Sequence, residues 1–435
     1  MSWQIALAIY GVLLLGFLLG GVGIGAAIGL VGIIGISLVS GTQLWLSLGD
    51  IVWNTTNTFT LVSIPLFVLM GEIILRSGIS NRFYNGVAVL LRRLPGGLAQ
   101  TNIVGCAIFS AIAGSSVATA MTVGTVAIPE MRKRGYSDRL TIGTLTGGGC
   151  LGILIPPSIP MIVYASMTQV SVIDLFMAGV IPGLALAAIF MGYVAVRVWM
   201  TPSLIPPPDP PASGPEKWRA SLDAIPVVAL IAAVIGSMYF GLVTPTEASA
   251  LGCLLAFAMA LAYGELTRAR LVEALRNAVV TSGVVMFITL NAQILNFAVV
   301  TSGIGQGLAH GLADLGLSRL VFFCLLFVVY LIVGMFIDGL SIMLLTVPLL
   351  YPSFVTMGFD GVWVGVIIVV FIELGALTPP MGLNLFAIQS IASDRSLGEV
   401  AWASMPYTLM ISAFAFLLYA FPGIALWLPA MMKAT

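Results

Sequence analysis

Charge is scarce in this chain: only 8% of its 435 residues are charged, and the 17 basic and 17 acidic side chains cancel. That scarcity, beside 60% hydrophobic residues, excludes an ordinary soluble globular domain. A net charge of zero excludes any attraction to nucleic acid through overall charge. Histidine occurs once, as His310, in a short segment to which no role falls. The four cysteines, Cys106, Cys150, Cys253 and Cys324, stand alone in apolar stretches without CxxC or metal spacing, and read as small hydrophobes. No phosphate-binding loop, metal-ligand cluster or nucleophile–base pair is present, so the chain does not read as an enzyme. Work done by it must draw on an ion gradient or on a partner.

Apolar runs near 20 residues are abundant, the length needed to span a ~30 Å hydrocarbon core. They predict an all-α polytopic membrane protein; a barrel would show ~10-residue alternating segments. Candidate spans lie at about 4–20, 22–40, 58–75, 142–168, 174–199, 223–242, 246–264, 279–300, 361–392 and 405–428. The N-terminal run is too long for a signal peptide and reads as two spans broken near Gly20-Gly21. Two further segments, about 97–131 and 318–356, are split by Gly114-Ser115-Ser116 and by Asp338-Gly339, and read as re-entrant helical hairpins. Segments 80–93, 266–277 and 395–404 read as interfacial amphipathic helices.

The chain carries one pattern twice. Leu151-Gly152-Ile153-Leu154-Ile155-Pro156-Pro157 recurs as Leu374-Gly375-Ala376-Leu377-Thr378-Pro379-Pro380, and the same offset of 223 pairs Pro129 with Pro352 and Gly135 with Gly358. At 225 it pairs Ser77-Gly78-Ile79 with Ser302-Gly303-Ile304, and Ser171 and Asp174 with Ser396 and Glu399. The repeats run over 1–200 and 223–435, joined by a cytoplasmic proline-rich linker at 201–222 that contains Pro206-Pro207-Pro208. With the N-terminus outside and both hairpins re-entrant, 15 of the 17 basic residues fall inside, leaving only Arg319 and Lys433 out. The charge bias fixes orientation, with both termini outside, and leaves re-entrance open. On this topology the hairpins open to opposite sides, making the repeats inverted.

A Gly/Pro-broken span at matching positions in two halves marks a secondary transporter's binding region near the membrane midplane. The broken spans strip backbone carbonyls of partners and expose the N-terminus of a following half-helix. Carbonyls and hydroxyls suit a hard monovalent cation, and the half-helix N-terminus suits an anion. Ser115, Ser116, Gly149 and Gly152 are candidate cation ligands in the first half, and Asp338, Gly375 and Thr378 in the second. Gly114, Thr119, Pro156, Ser158, Ser341, Pro379 and Asn384 are candidate substrate contacts. Asp338, ionisable within an apolar run, is able to bind a cation, carry a proton or cap the helix starting at Gly339. Glu373 lies beside the second break with no role assigned. Glu72 reads as paired with a basic residue or backbone, and Glu247 as a helix cap after Thr244-Pro245. The small-residue-rich spans 22–40 and 246–264 are expected to offer a sliding face to a moving body made of 97–168 and 318–392. The outward surface holds Asp50, Asp174, Glu247, Asp314 and Asp360 against Arg319 and Lys433, suited to orienting a docking protein.

Val62-Ser63-Ile64-Pro65-Leu66-Phe67 leading to Gly71-Glu72, then Gly114-Ser115-Ser116-Val117-Ala118-Thr119, Leu151–Ser158, Thr244-Pro245-Thr246-Glu247-Ala248 and Thr378-Pro379-Pro380-Met381-Gly382 carry a resemblance. Over essentially the whole chain they are similar to the large membrane subunit of tripartite ATP-independent periplasmic (TRAP) transporters. The resemblance implies an elevator-type fold and uptake of a small organic anion, a carboxylate or sugar acid, coupled to Na+ at two or more sites. It places the protein in a bacterial inner membrane. It implies two partners, a small membrane subunit of about four helices on a separate polypeptide and a periplasmic substrate-binding protein. Asp338-Gly339 stands where the first hairpin has Ser115-Ser116, so the two cation sites differ in chemistry. The rival reading is a stand-alone sodium-coupled anion transporter without a binding protein.

Overall fold

The computed structural model describes every residue except Met1, Thr42, Pro208, Asp209, Glu265 and Thr435, and the side chains of Ser40 and Ala434; Pro208 of the linker thus lies outside the described residues. Among those described there is no strand. Helices α1 (Trp3–Leu19) and α2 (Ile24–Ser40) are followed by α3 (Trp45–Thr56), α4 (Ser63–Arg76) and α5 (Ile79–Leu90). The first hairpin is α6 (Leu98–Ala113) and α7 (Ser116–Lys133), the first broken span α8 (Asp138–Gly149) and α9 (Ile159–Thr168), and α10 (Val172–Met200) follows. Then come α11 (Gly214–Tyr239), α12 (Pro245–Ala262), α13 (Arg268–Thr301) and α14 (Ile304–Asp314). The second hairpin is α15 (Arg319–Gly334) and α16 (Gly339–Thr356), the second broken span α17 (Gly361–Ala376) and α18 (Leu383–Ile391), then α19 (Leu397–Ala420) and α20 (Gly423–Ala434). Seven of the described helices, counting α4 with the 3-10 turn before it, are long and apolar enough to cross a membrane. The halves of both broken spans are shorter.

Local chemistry sets these boundaries. Helices α5 and α14 both start after a glycine in the left-handed region, Gly78 at φ 73° and Gly303 at φ 67°, a conformation glycine adopts without steric penalty. The Ser171 hydroxyl accepts the Asp174 amide to cap α10, and Ser396 accepts the Glu399 amide to cap α19. In consequence α4–α10 and α13–α19 follow one order: a helix, a shorter helix, hairpin, broken span, long helix.

Several expectations need correcting. Segments 266–277 and 395–404 are not separate interfacial helices but the first turns of α13 and α19, since Thr267 and Ser396 cap those helices and no break follows. The span expected at 405–428 is divided near Pro422 into α19 and α20. Helices α3 and α14 were not expected, and His310 lies within α14. Helix α11 begins at Gly214, inside the stretch read as linker, where Ser213 and Glu216 form a capping box with Pro215 in the first turn. Asp174 is not an outward surface group: it is buried and paired with Lys433 at 2.7 Å. Glu72 does pair, with Arg76 at 2.8 Å and Asn277 at 3.3 Å, and Glu247 does cap α12.

Helices α2 and α12 also do not supply the principal face toward the hairpins. Helix α2 packs mainly on α13, and α12 on α4; it is α4 and α13 that lie against α6 and α16. Small residues explain the first pairing. Gly25, Gly29 and Gly32 line one face of α2, meeting Phe287 and Ile288, Asn291 and Leu295 of α13. A Cβ on Gly32 would lie 2.7 Å from the Leu295 amide nitrogen, so only glycine permits that approach. Gly32→Val is expected to destabilise the protein by about 1–3 kcal/mol through overpacking, seen as a lower Tm of the purified chain. Gly11→Ala, where nothing lies within 4 Å, is expected to leave Tm unchanged.

Candidate functional site

Each hairpin tip reaches the broken span of its own half. At the first tip, α6 stops because Gly114 turns into the left-handed region at φ 57°, and its amide closes on Ser110 O at 2.9 Å. Ser115 then caps α7, accepting the Ala118 amide at 3.4 Å. Facing it, α8 ends at Gly149 and the chain runs non-helically to Ser158. A Cβ on Gly114 would lie 3.1 Å from Pro157 O, one on Gly149 2.8 Å from Ala120 Cβ, and one on Gly152 2.6 Å from Ser116 N. Glycine at 149 and 152 is thus what lets the break close onto the first turns of α7. Gly114, Ser115 and Ser116 are set against Gly149, Gly152 and Pro157, with Thr119 buried in the first turn of α7.

The second tip is built alike with different atoms. Asp338 caps α16, accepting the Ser341 amide at 3.0 Å, so the capping option is the one the geometry displays. A Cβ on Gly375 would lie 2.6 Å from Gly334 Cα, and Gly339 abuts Ile372, which seats this tip against α17. Thr378 donates its hydroxyl to Leu374 O at 2.7 Å, satisfying the end of α17. Pro379, Pro380 and Met381 are exposed, whereas the entire first break is buried. Both Pro-Pro peptides, Pro156-Pro157 and Pro379-Pro380, are cis.

Asn384 does not join the second tip. Its amide nitrogen lies 3.3 Å from Cys150 Sγ, in the first break, and Cys150 Sγ is 3.7 Å from Glu373 O. The Ser116 hydroxyl, on the first hairpin, donates to the Glu373 carboxylate of α17. Glu373 and Cys150 therefore sit at the junction of the halves. Sequence reasoning gave neither a role, although an ionisable residue in an apolar run was the available signal for Glu373. Among the described residues, several buried oxygens on the hairpins and broken spans accept or donate no hydrogen bond: Thr119 Oγ1, Ser158 Oγ, Ser341 Oγ, Asn384 Oδ1 and Glu373 Oε2. Buried polar atoms normally find partners, and an uncommitted set of oxygens fits hard cations and polar cargo.

Residues 11–424 match the family model described as "Tripartite ATP-independent periplasmic transporter, DctM component". The chain is 34% identical over 387 residues to the C4-dicarboxylate TRAP transporter large permease protein DctM of Pseudomonas aeruginosa, covering 88% of this chain and 89% of that one. It is 32% identical to the 2,3-diketo-L-gulonate TRAP transporter large permease protein YiaN of Escherichia coli, with 91% and 93% covered. It is 30% identical to the sialic acid TRAP transporter large permease protein SiaM of Vibrio cholerae, with 96% and 97% covered. Among solved structures, the Alcanivorax borkumensis YdaH transporter shares the fold at a TM-score of 0.62 and 15% identity, over 90% of this chain and 91% of that one.

Cys106 and Cys150 are wholly buried, while Cys253 and Cys324 are partly accessible. A maleimide applied to the folded protein is expected to modify Cys324 and spare Cys106 and Cys150, read by mass spectrometry. Equal labelling of Cys150 and Cys324 would contradict a closed junction.

Proposed function

This chain belongs to the DctM family of tripartite ATP-independent periplasmic transporters, whose large membrane subunit it represents, and from that premise we propose that it imports a small organic anion with sodium. The relatives named above are transporters of organic acids, which makes a carboxylate or sugar acid the cargo class. In this reading a periplasmic binding protein delivers the anion, and a small membrane subunit packs against the frame. The protein lies in the bacterial inner membrane with both termini periplasmic, following the positive-inside bias of its basic residues.

The observation that carries the proposal is the set of buried oxygens without hydrogen-bond partners on the hairpins and broken spans. Ser115, Ser116 and carbonyls at Gly149 and Gly152 would hold one sodium ion, and Asp338, Gly375 and Thr378 a second. The N-termini of the half-helices α9 and α18, beginning at Ile159 and Leu383, favour negative charge and would face the anion. Gly114, Thr119, Pro156, Ser158, Ser341, Pro379 and Asn384 would line its seat, Asn384 reaching it from beside Cys150. Electrogenic sodium entry supplies ~2.3 kcal/mol per charge per 100 mV, enough to concentrate an anion.

The matched order of α4–α10 and α13–α19 supports reading the halves as inverted repeats. The unequal burial of the two breaks supports alternating access, since any one state must favour one side. An elevator stroke would carry both hairpins and both broken spans past α4 and α13.

Two experiments test this reading. In proteoliposomes, uptake should require the chain, its small membrane subunit, a loaded binding protein and a sodium gradient; uptake by this polypeptide alone would establish the stand-alone transporter instead. Ser116→Ala and Thr378→Ala should each raise the sodium concentration for half-maximal uptake by about tenfold, the loss of one ligand contact, with expression little changed. Wild-type sodium activation in both variants would overturn these ligand assignments.

A further inference from the structure

Glu373 is a carboxylate 2% exposed, on a helix whose mean character is strongly apolar. One of its oxygens accepts the Ser116 hydroxyl; the other makes no hydrogen bond, although the Cys150 side chain and the Ile153 backbone lie beside the carboxylate. Among the described residues no lysine, arginine or histidine forms an ion pair with it, although Glu72, Asp138 and Asp174 all have such partners. A carboxylate ionised in that setting is expensive and must take either a proton or a cation. Immediately beside it lies the first cluster of sodium-seeking groups, which has the complementary defect. Ser115, Ser116 and the carbonyls at Gly149 and Gly152 are all neutral, and none of these ligands brings a carboxylate from the first half. Ser116 touches both: its backbone packs on Gly152 and its hydroxyl bonds Glu373.

We propose that Glu373 completes the first cation site across the repeat interface, its carboxylate binding the sodium ion that Ser116 and the first break hold from the other side. This rests on the sodium-coupled reading above. The free Glu373 oxygen is then the ligand, and the ion is the missing counter-charge. Placing that ligand on α17, two residues before Gly375 and five before Thr378, has a mechanical result. Occupancy of the first site pulls on the helix that carries the second, so the sites bind sodium cooperatively although their ligands lie in different halves. Cys150 and Asn384 position the carboxylate's helix against the first break by their contacts with Glu373 O and with each other.

Glu373→Gln keeps the shape and removes the charge. The purified full chain is melted in sodium chloride and in choline chloride, and uptake is measured against sodium concentration after reconstitution with its small membrane subunit and loaded binding protein. Sodium should raise the wild-type Tm. E373Q should melt at or above the wild type in choline, and its Tm should lose most of the sodium response. In uptake the half-maximal sodium concentration should rise by about tenfold or more, the effect of deleting one charged ligand, and the steepness of sodium activation should fall by about one ion. Should E373Q fail to fold, Glu373→Asp decides: it retains the charge on a shorter arm, so steepness should persist while the sodium requirement rises. A sodium response in E373Q, or in Glu373→Asp where that variant decides, equal to wild type in both Tm and uptake overturns the assignment. A wild type whose Tm and uptake ignore sodium overturns the sodium-coupled reading and this site together, which separates the two failures.

Discussion

Interrupting a helix at membrane depth frees amides and carbonyls that lipid cannot satisfy, and the interruption survives only inside protein or beside water. The two breaks in this molecule meet that constraint differently. From Cys150 to Ser158 the chain is buried throughout, and turns such as Leu154 and Ile155 onto Leu151 O absorb part of the freed backbone. Around Pro379 and Pro380 the chain is exposed, the prolines bring no amide to satisfy, and Thr378 ties off the end of α17. The hairpins are the covering structures that make both solutions available. Each needs its own tip capped, which Ser115 and Asp338 do from equivalent positions with different side chains.

Close cover demands small residues, and the glycines follow from it. Gly149 and Gly152 admit α7, Gly334 and Gly375 admit one another, and Gly29 and Gly32 admit α13. Each removes a side chain where two backbones must touch. The same closeness brings Ser116 within reach of Glu373, so the packing requirement and the polar junction have one origin.

Much of this was legible in the sequence because glycine, proline and capping residues act locally. The hairpin tips, both breaks, the Glu247 cap and the start of α5 near Ile79 are written in residues that dictate their own backbone. Helices α3 and α14 were harder to foresee, being short helices between longer runs whose patterning is weak beside the spans. The unbroken length of α13 was missed because polar first turns look interfacial, yet a cap at Thr267 and no following break extend the helix into them. The junction was the hardest part. An internal repeat says which residues are equivalent, and says nothing of which half faces which. Asn384 follows the second break in the chain, yet the fold turns it onto Cys150 of the first. Contacts spanning more than 200 residues leave no periodicity to read.

The frame of the molecule has a crossed construction. Helix α2 packs on α13, while α12, the helix immediately before α13, packs on α4. Each half therefore lends a helix to the other, and neither half contains the neighbours that its own long helix requires. During synthesis α4 is complete at Arg76, almost 170 residues before its partner α12 begins at Pro245. The first half must wait in lipid with that face uncovered, and its consolidation is deferred until the second half arrives. Assembly is thus a late, concerted event in which both halves close around each other, and a chain stopped at the linker would hold the right helices in the wrong company.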